Sequence, residues 1–324
     1  MHGQTNKRVL GCGVMLRLLI AGNSVFTEKD ISSIEKLGYK VTTVQREDSP
    51  EIPNPEIYEV VICNWLFARH DIRAFKKLKA VQLTSAGLDR IPMDYAEQHK
   101  IQVRNARGIY NTPIAEFTVM AVLDAYKHSE YFYNNQRMCR WSKYRGLDEL
   151  SDKTVCVFGT GSVGTEVARK FSVFADQLIG IDLYPEEKRF FTKVVGLEKM
   201  QSVLQKSDVV VLTLPLTDRT YHMFNEKIFE AMKDDAILVN VARGALIDEL
   251  ALQKVLSQGK FKEVILDVFE NEPLDESYWG WETDRLRIIP HNTFESKNNA
   301  ERMKKQIMDN LIDWAADLSG GGKG

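Results

Sequence analysis

Cysteine is scarce in this chain of 324 residues: four are present, and no two stand at CxxC spacing. Cys12, Cys63, Cys139 and Cys156 therefore build neither a zinc ribbon nor a dithiol redox pair, and we expect no metal site. Cys63 and Cys156 lie in apolar runs and read as small buried hydrophobes. Reduced thiols and a cytoplasmic setting follow as expectations. A dominant charge is missing too: 43 Lys and Arg face 45 Asp and Glu, for a net charge of −2. With no basic block, nucleic acid is not an expected partner. No apolar run reaches the roughly 20 residues of a membrane span, so no membrane partner is expected either. Lys7-Arg8 ahead of an apolar stretch resembles a signal peptide, but Arg17 interrupts it and Met15 to Gly22 reads better as a first strand. Residues 1–14 are expected to be a disordered extension and 319–324 (Ser-Gly-Gly-Gly-Lys-Gly) a flexible tail. No solenoid-period repeat is found.

What is present is an ordinary globular composition, 44% hydrophobic and 27% charged. At roughly 150 residues per domain, the length gives about two domains. Short apolar strands at 16–21, 40–44, 59–63, 80–84 and 102–105 alternate with helical stretches at 27–37 and 72–77. From Asn111-Thr-Pro113 a long apolar-periodic run continues to about residue 140 and predicts one long helix with Thr112 as N-cap. Rich in Phe117, Met120, Tyr126, Tyr131 and Phe132, it serves either as a core helix or as a bridge to a neighbouring domain or a second copy. Strand–helix alternation resumes with strands at 154–158, 178–182, 209–214, 236–241, 264–268 and 286–289, and a last helix over 298–318. Such alternation predicts α/β architecture with parallel sheets.

The second half opens on Val-Cys-Val-Phe-Gly159-Thr-Gly161-Ser162-Val163-Gly164, a GxGxxG between strand and helix. Gly159 permits the tight turn, Gly161 the approach of a pyrophosphate to backbone, and Gly164 close strand–helix packing. The spacing alone is a weak signal. Here the next strand ends on Asp182, near the offset of about 20 residues at which a carboxylate meets the ribose hydroxyls of NAD and repels the extra phosphate of NADP. The expected cofactor is NAD; Lys188 and Arg189 nearby weigh toward a phosphate.

Three later strand ends carry chemistry. Arg243 follows Asn240-Val241-Ala242, and its planar fork suits a carboxylate. Asp267, Glu270 and Glu272 cluster after the next strand, and His291 follows the last, in Pro290-His291. Each, taken singly, is as easily a surface residue. Together a cation, an acid and an imidazole at strand C-terminal ends are what proton-coupled hydride transfer to a 2-keto acid requires.

On the glycine motif, Asn240-Val-Ala-Arg243-Gly244, Asp267-Val-Phe-Glu-Asn-Glu272-Pro273 and Pro290-His291, the sequence resembles the D-isomer-specific 2-hydroxyacid dehydrogenases over nearly its whole length. The resemblance implies a Rossmann dinucleotide-binding domain at 113–292 and a discontinuous flavodoxin-like α/β substrate domain at 15–112 and 293–318. It implies a cleft between them and a homodimer built around the long helix. By resemblance, Arg243 binds substrate, His291 is the acid/base, Glu272 orients it and Asp267 binds the nicotinamide amide. Ser85, Ala86 and Gly87 match the loop whose amides hold the substrate carboxylate, and Pro215 lines the adenine pocket. Val241 and Ala242 fall in the cofactor-binding motif beside Arg243.

The sequence departs from the family where small residues usually follow the histidine: it reads Asn292-Thr293-Phe294. Ser162 replaces a common basic residue, and Tyr110 and Asn111 read as hinge packing. Two rival readings are a formate-dehydrogenase-like enzyme, against which Glu272 counts because that branch carries Gln, and an NADH-sensing interaction protein of corepressor type.

Overall fold

The computed structural model describes residues 15–22 and 25–319. The expected extension at 1–14 and tail residues 320–324 lie outside the described residues, while Ser319 closes a helix. The described residues divide into two compact units, one formed by those up to 109 together with 297–319, the other by 110–296.

In the first unit, β1 (Leu16–Ala21), α1 (Glu28–Glu35), β2 (Tyr39–Val44), β3 (Val60–Cys63), α2 (Leu66–Arg69), β4 (Ala80–Leu83), α3 (Met93–Gln98) and β5 (Gln102–Arg104) follow in turn. The strands make a parallel sheet of order β2-β1-β3-β4-β5. That is the flavodoxin-like order, with its reversal beside β1. β3 and β4 are wholly buried, as strands covered on both faces must be. The closing helix Asn299–Ser319 belongs to this unit. It is stitched to the sheet by polar groups: Trp314 Nε1 donates to Gln102 Oε1 at 2.8 Å, Tyr39 OH to the Leu311 carbonyl at 2.7 Å, and Asn310 Nδ2 to buried Gln82 at 2.6 Å.

The second unit begins with α4 (Asn111–Lys127) and α5 (Ser129–Arg137). The expected single helix is broken at His128, whose left-handed backbone (φ 47°) ends α4 and whose ring stacks on Tyr144 at 4.4 Å. The N-cap position is Tyr110 rather than Thr112. There follow β6 (Thr154–Phe158), α6 (Ser162–Phe171), β7 (Gln177–Ile181), β8 (Lys193–Val195), α7 (Met200–Leu204), β9 (Val209–Leu212), α8 (Glu226–Ala231), β10 (Ile237–Asn240), α9 (Glu249–Ser257), β11 (Glu263–Leu266) and β12 (Leu286–Ile288). They form a parallel sheet of order β12-β11-β10-β9-β6-β7-β8. One apolar cluster packs each face, with Phe158, Leu212 and Leu238 on one and Val157, Val211 and Val239 on the other. The order reverses between β6 and β9, which is where an open α/β sheet receives a dinucleotide.

Elsewhere the expected helix at 72–77 is only a 3-10 turn, Ile72–Ala74, because Asp71 caps Arg73 N and the chain is already returning to β4. The edge strand β8 was not expected, since three residues carry too little periodicity.

Candidate active site

Every predicted site residue of the second unit follows the C-terminal end of a strand. Cofactor-type residues follow β6, β7 and β9; Arg243 follows β10, Asp267 and Glu272 follow β11, and His291 follows β12. β10, β11 and β12 are adjacent and parallel in the sheet, so residues distant in sequence emerge side by side.

At the glycine loop, Gly159 has φ +91°, and a Cβ there would stand 2.9 Å from the Thr213 backbone. A Cβ on Gly164 would lie 1.8 Å from the Gly159 carbonyl oxygen, so helix and loop close only on glycine. Gly161 faces open space instead, leaving its backbone approachable. Ser162 and Val163 start α6, whose first amides form the electropositive end that suits a pyrophosphate. Asp182, just past β7, accepts from Thr160 N at 2.7 Å, Thr160 Oγ1 at 3.0 Å and Tyr184 N at 3.1 Å. The acid is thus tied to the loop it serves. Thr213 seals the switch point, its hydroxyl donating to the Gly159 carbonyl at 2.8 Å. Pro215 follows β9, and its carbonyl is held by Thr220 Oγ1 at 2.8 Å. Val241 is buried, and Ala242 N donates to Asn240 Oδ1 at 3.1 Å. The open backbone at Gly161 and the amide end of α6 suit the pyrophosphate of a dinucleotide.

His291 and Glu272 are joined directly, Nδ1 to Oε2 at 2.7 Å, leaving Nε2 as the nitrogen able to meet a substrate. Glu272 is itself held, its Oε1 accepting from Phe269 N at 2.9 Å. The side chains are 38% and 33% exposed, enough for a ligand to reach the ring. His291 has φ 49°, a left-handed conformation costing a non-glycine residue about 1–2 kcal/mol. The Arg243 backbone is anchored by buried Asn240, whose Nδ2 donates to its carbonyl at 2.8 Å. The Arg243 guanidinium folds back on the Ala242 carbonyl at 2.7 Å. Phe294 meets the His291 ring edge-on at 5.9 Å and Tyr110 at 5.5 Å.

Asp267 is 2% exposed. Its Oδ1 accepts from Asn292 N (2.7 Å) and Thr293 N (3.1 Å), and its Oδ2 from Thr293 Oγ1 (2.5 Å). Three of about four lone-pair positions are taken, leaving room for one further donor. In the first unit, the loop after β4 turns on Ser85 Oγ donating to the Gly87 carbonyl at 3.1 Å, with the Ala86 carbonyl bound by Asn105 at 2.6 Å.

Sequence reasoning missed Thr160, Thr213, Asn240 and Thr293 as supports. Asn240 and Thr160 lie inside motifs already singled out, and Thr293 in the departure after the histidine, so a signal was there; Thr213 carries none without the contacts. Asn111, read as a hinge residue, ties α4 to the glycine loop by donating to the Ser162 carbonyl at 3.1 Å.

The chain is similar to known proteins in sequence and in fold. The model of the D-isomer specific 2-hydroxyacid dehydrogenase NAD binding domain matches residues 119–293. A glyoxylate reductase of Thermofilum pendens is 31% identical over 248 residues, covering 74% of this chain and 72% of that protein. A D-lactate dehydrogenase of Treponema pallidum is 31% identical over 257 residues, covering 74% and 76%. The crystal structure of a glyoxylate reductase from Paecilomyes thermophila superposes with a TM-score of 0.80 at 25% identity, covering 94% of this chain and 96% of that one. With its NAD-binding domain, the chain belongs to the D-isomer-specific 2-hydroxyacid dehydrogenase family.

Proposed function

We propose that this protein interconverts a small D-2-hydroxy acid and its 2-keto acid, with His291 as acid/base, Glu272 orienting it and Arg243 binding the substrate. The observation that carries the reading is the 2.7 Å pairing of His291 Nδ1 with Glu272. It fixes the tautomer, so that Nε2 holds the exchangeable proton.

When bound, NAD(H) supplies or accepts the hydride at substrate C2. Gly159, Gly161, Ser162, Val163 and Gly164 would hold its pyrophosphate, Asp182 its ribose, and Pro215, Val241, Ala242 and Asp267 its remaining length. Asp182 makes NAD the favoured form over NADP. In reduction, His291 Nε2 donates its proton to the carbonyl oxygen as C2 gains hydride, and the carbonyl becomes the hydroxyl. In oxidation, neutral His291 takes that proton back. Arg243 neutralises the carboxylate and the charge developing on the oxygen. The amides of Ser85, Ala86 and Gly87, in the loop after β4, are the proposed substrate-binding residues of the first unit.

The relatives named as glyoxylate reductase and D-lactate dehydrogenase support a short-chain keto acid. NADH oxidation across 2-keto acids of increasing side chain, with and without a distal phosphate, tests this. Turnover of at least one is expected; tight NADH binding with no turnover across the panel contradicts it.

We further propose a homodimer in a reducing, cytoplasmic setting. Phe132, Tyr133, Met138 and Trp141 are exposed along α5 and the segment after it, Trp141 to 99%, and a second copy is the occupant proposed for them. Buried free Cys63 and Cys156 suit a reducing compartment. Light scattering of the full chain reads the oligomeric state.

A further inference from the structure

An L-residue in a left-handed conformation stays there only when its surroundings hold it. His291 is such a residue, and its holder is Asp267. The Asp267 carbonyl accepts from His291 N at 2.9 Å. Its Oδ1 accepts from the next two amides, Asn292 N and Thr293 N. Its Oδ2 accepts from the Thr293 hydroxyl at 2.5 Å. The residue at the end of β11 thus binds three consecutive residues of the turn after β12.

We propose that Thr293 is a positioning residue for His291, acting through the Asp267 carboxylate; this rests on His291 being the acid/base. Asp267 and Thr293 are 2% and 3% exposed, so water does not readily replace the hydroxyl. The hydroxyl fixes the rotation of the carboxylate, and that rotation aims Oδ1 at the two amides. With the hydroxyl gone, a buried carboxylate oxygen loses its donor and turns toward another. The amides of 292 and 293 are released, the turn carrying His291 relaxes, and the imidazole drifts from Glu272. Oriented proton transfer depends on this geometry to within about half an ångström. The departure from small residues after the histidine then has a use: at 293 it supplies the hydroxyl that clamps the acid beneath the turn.

Thr293→Val keeps the shape and removes the donor, Thr293→Ala removes both, and Thr293→Ser keeps the donor. With a keto acid that the wild type reduces, the Val variant is expected to lose about 10- to 100-fold in kcat, part of the roughly 100- to 10,000-fold that general acid–base catalysis supplies. Substrate KM changes less than about threefold, and NADH Kd weakens by a smaller factor than kcat falls. Ser restores kcat. If Val does not fold, the comparison of Ser with Ala, both checked by circular dichroism and melting, carries the test. Folded Val or Ala variants with wild-type kcat overturn the proposal. So does a loss residing wholly in NADH Kd, which would make the pair a cofactor contact. A His291→Ala enzyme with normal turnover overturns instead the underlying assignment of His291.

Discussion

Gly244 lies against Phe269 so closely that a Cβ at 244 would stand 1.9 Å from the Phe269 carbonyl carbon and 2.3 Å from Glu270 N. The residue after Arg243 thus touches the backbone of the turn that carries Glu272, and Phe269 N in that turn is the donor holding Glu272 Oε1. This contact sets the backbone that follows Arg243 against the turn that holds Glu272. Gly244→Ala must push the two segments apart. We expect a folded protein destabilised by about 1–3 kcal/mol, the usual cost of overpacking, with kcat/KM down at least about 100-fold, since small misplacements in an active site cost that much. Kinetics with a denaturant melt of the same preparation check it; wild-type kcat/KM contradicts it.

Cofactor choice is expected to rest on the charge of Asp182. Asp182→Asn preserves an acceptor for Thr160 N but removes the repulsion toward a 2′-phosphate. Losing one charged hydrogen-bonding partner is worth about 1.5–3 kcal/mol, so the ratio of kcat/KM for NAD over NADP should fall by roughly 10- to 100-fold. An unchanged ratio contradicts the assignment. Thr160→Val, which removes one of the donors fixing that carboxylate, should shift the ratio in the same direction but less.

Arg287 on β12 joins two acids, Glu263 of β11 through Nε at 2.7 Å and Asp124 of α4 through Nη1 at 2.5 Å. Burial raises the Glu263 carboxyl above its ordinary value, with Arg287 opposing the rise. Arg287→Met leaves the Glu263 carboxylate buried without its cation. As the three side chains keep 18–29% exposure, the cost is about 1–3 kcal/mol rather than that of a fully buried pair. A carboxyl whose folded pKa is raised resists ionisation in the fold. The variant's deficit is therefore largest above that pKa and shrinks as pH falls through it and the group takes up a proton. Urea melts at about pH 7.5 and about pH 5 should show the gap closing; a constant gap contradicts the account.

How much of this was legible depends on what each residue does. Runs such as Val209–Leu212 and 237–239 are apolar throughout because they are covered on both faces, and that is readable in a sequence. Arg243, Glu272 and His291 were legible as types at strand ends, because parallel strands deliver their C-terminal ends to one edge. The break at His128 was not, because nothing local forbids a helix there and a ring stack on Tyr144, from a later segment, accompanies it. Nor was the use of Thr293, since a buried threonine becomes a clamp only through a carboxylate 26 residues earlier.

The most direct test of the central claim is single-turnover reduction of a keto acid by His291→Ala, with NADH affinity measured on the same protein. The account predicts a fall in the chemical rate of about 100- to 10,000-fold, with NADH Kd unchanged. A rate near that of the wild type would contradict it.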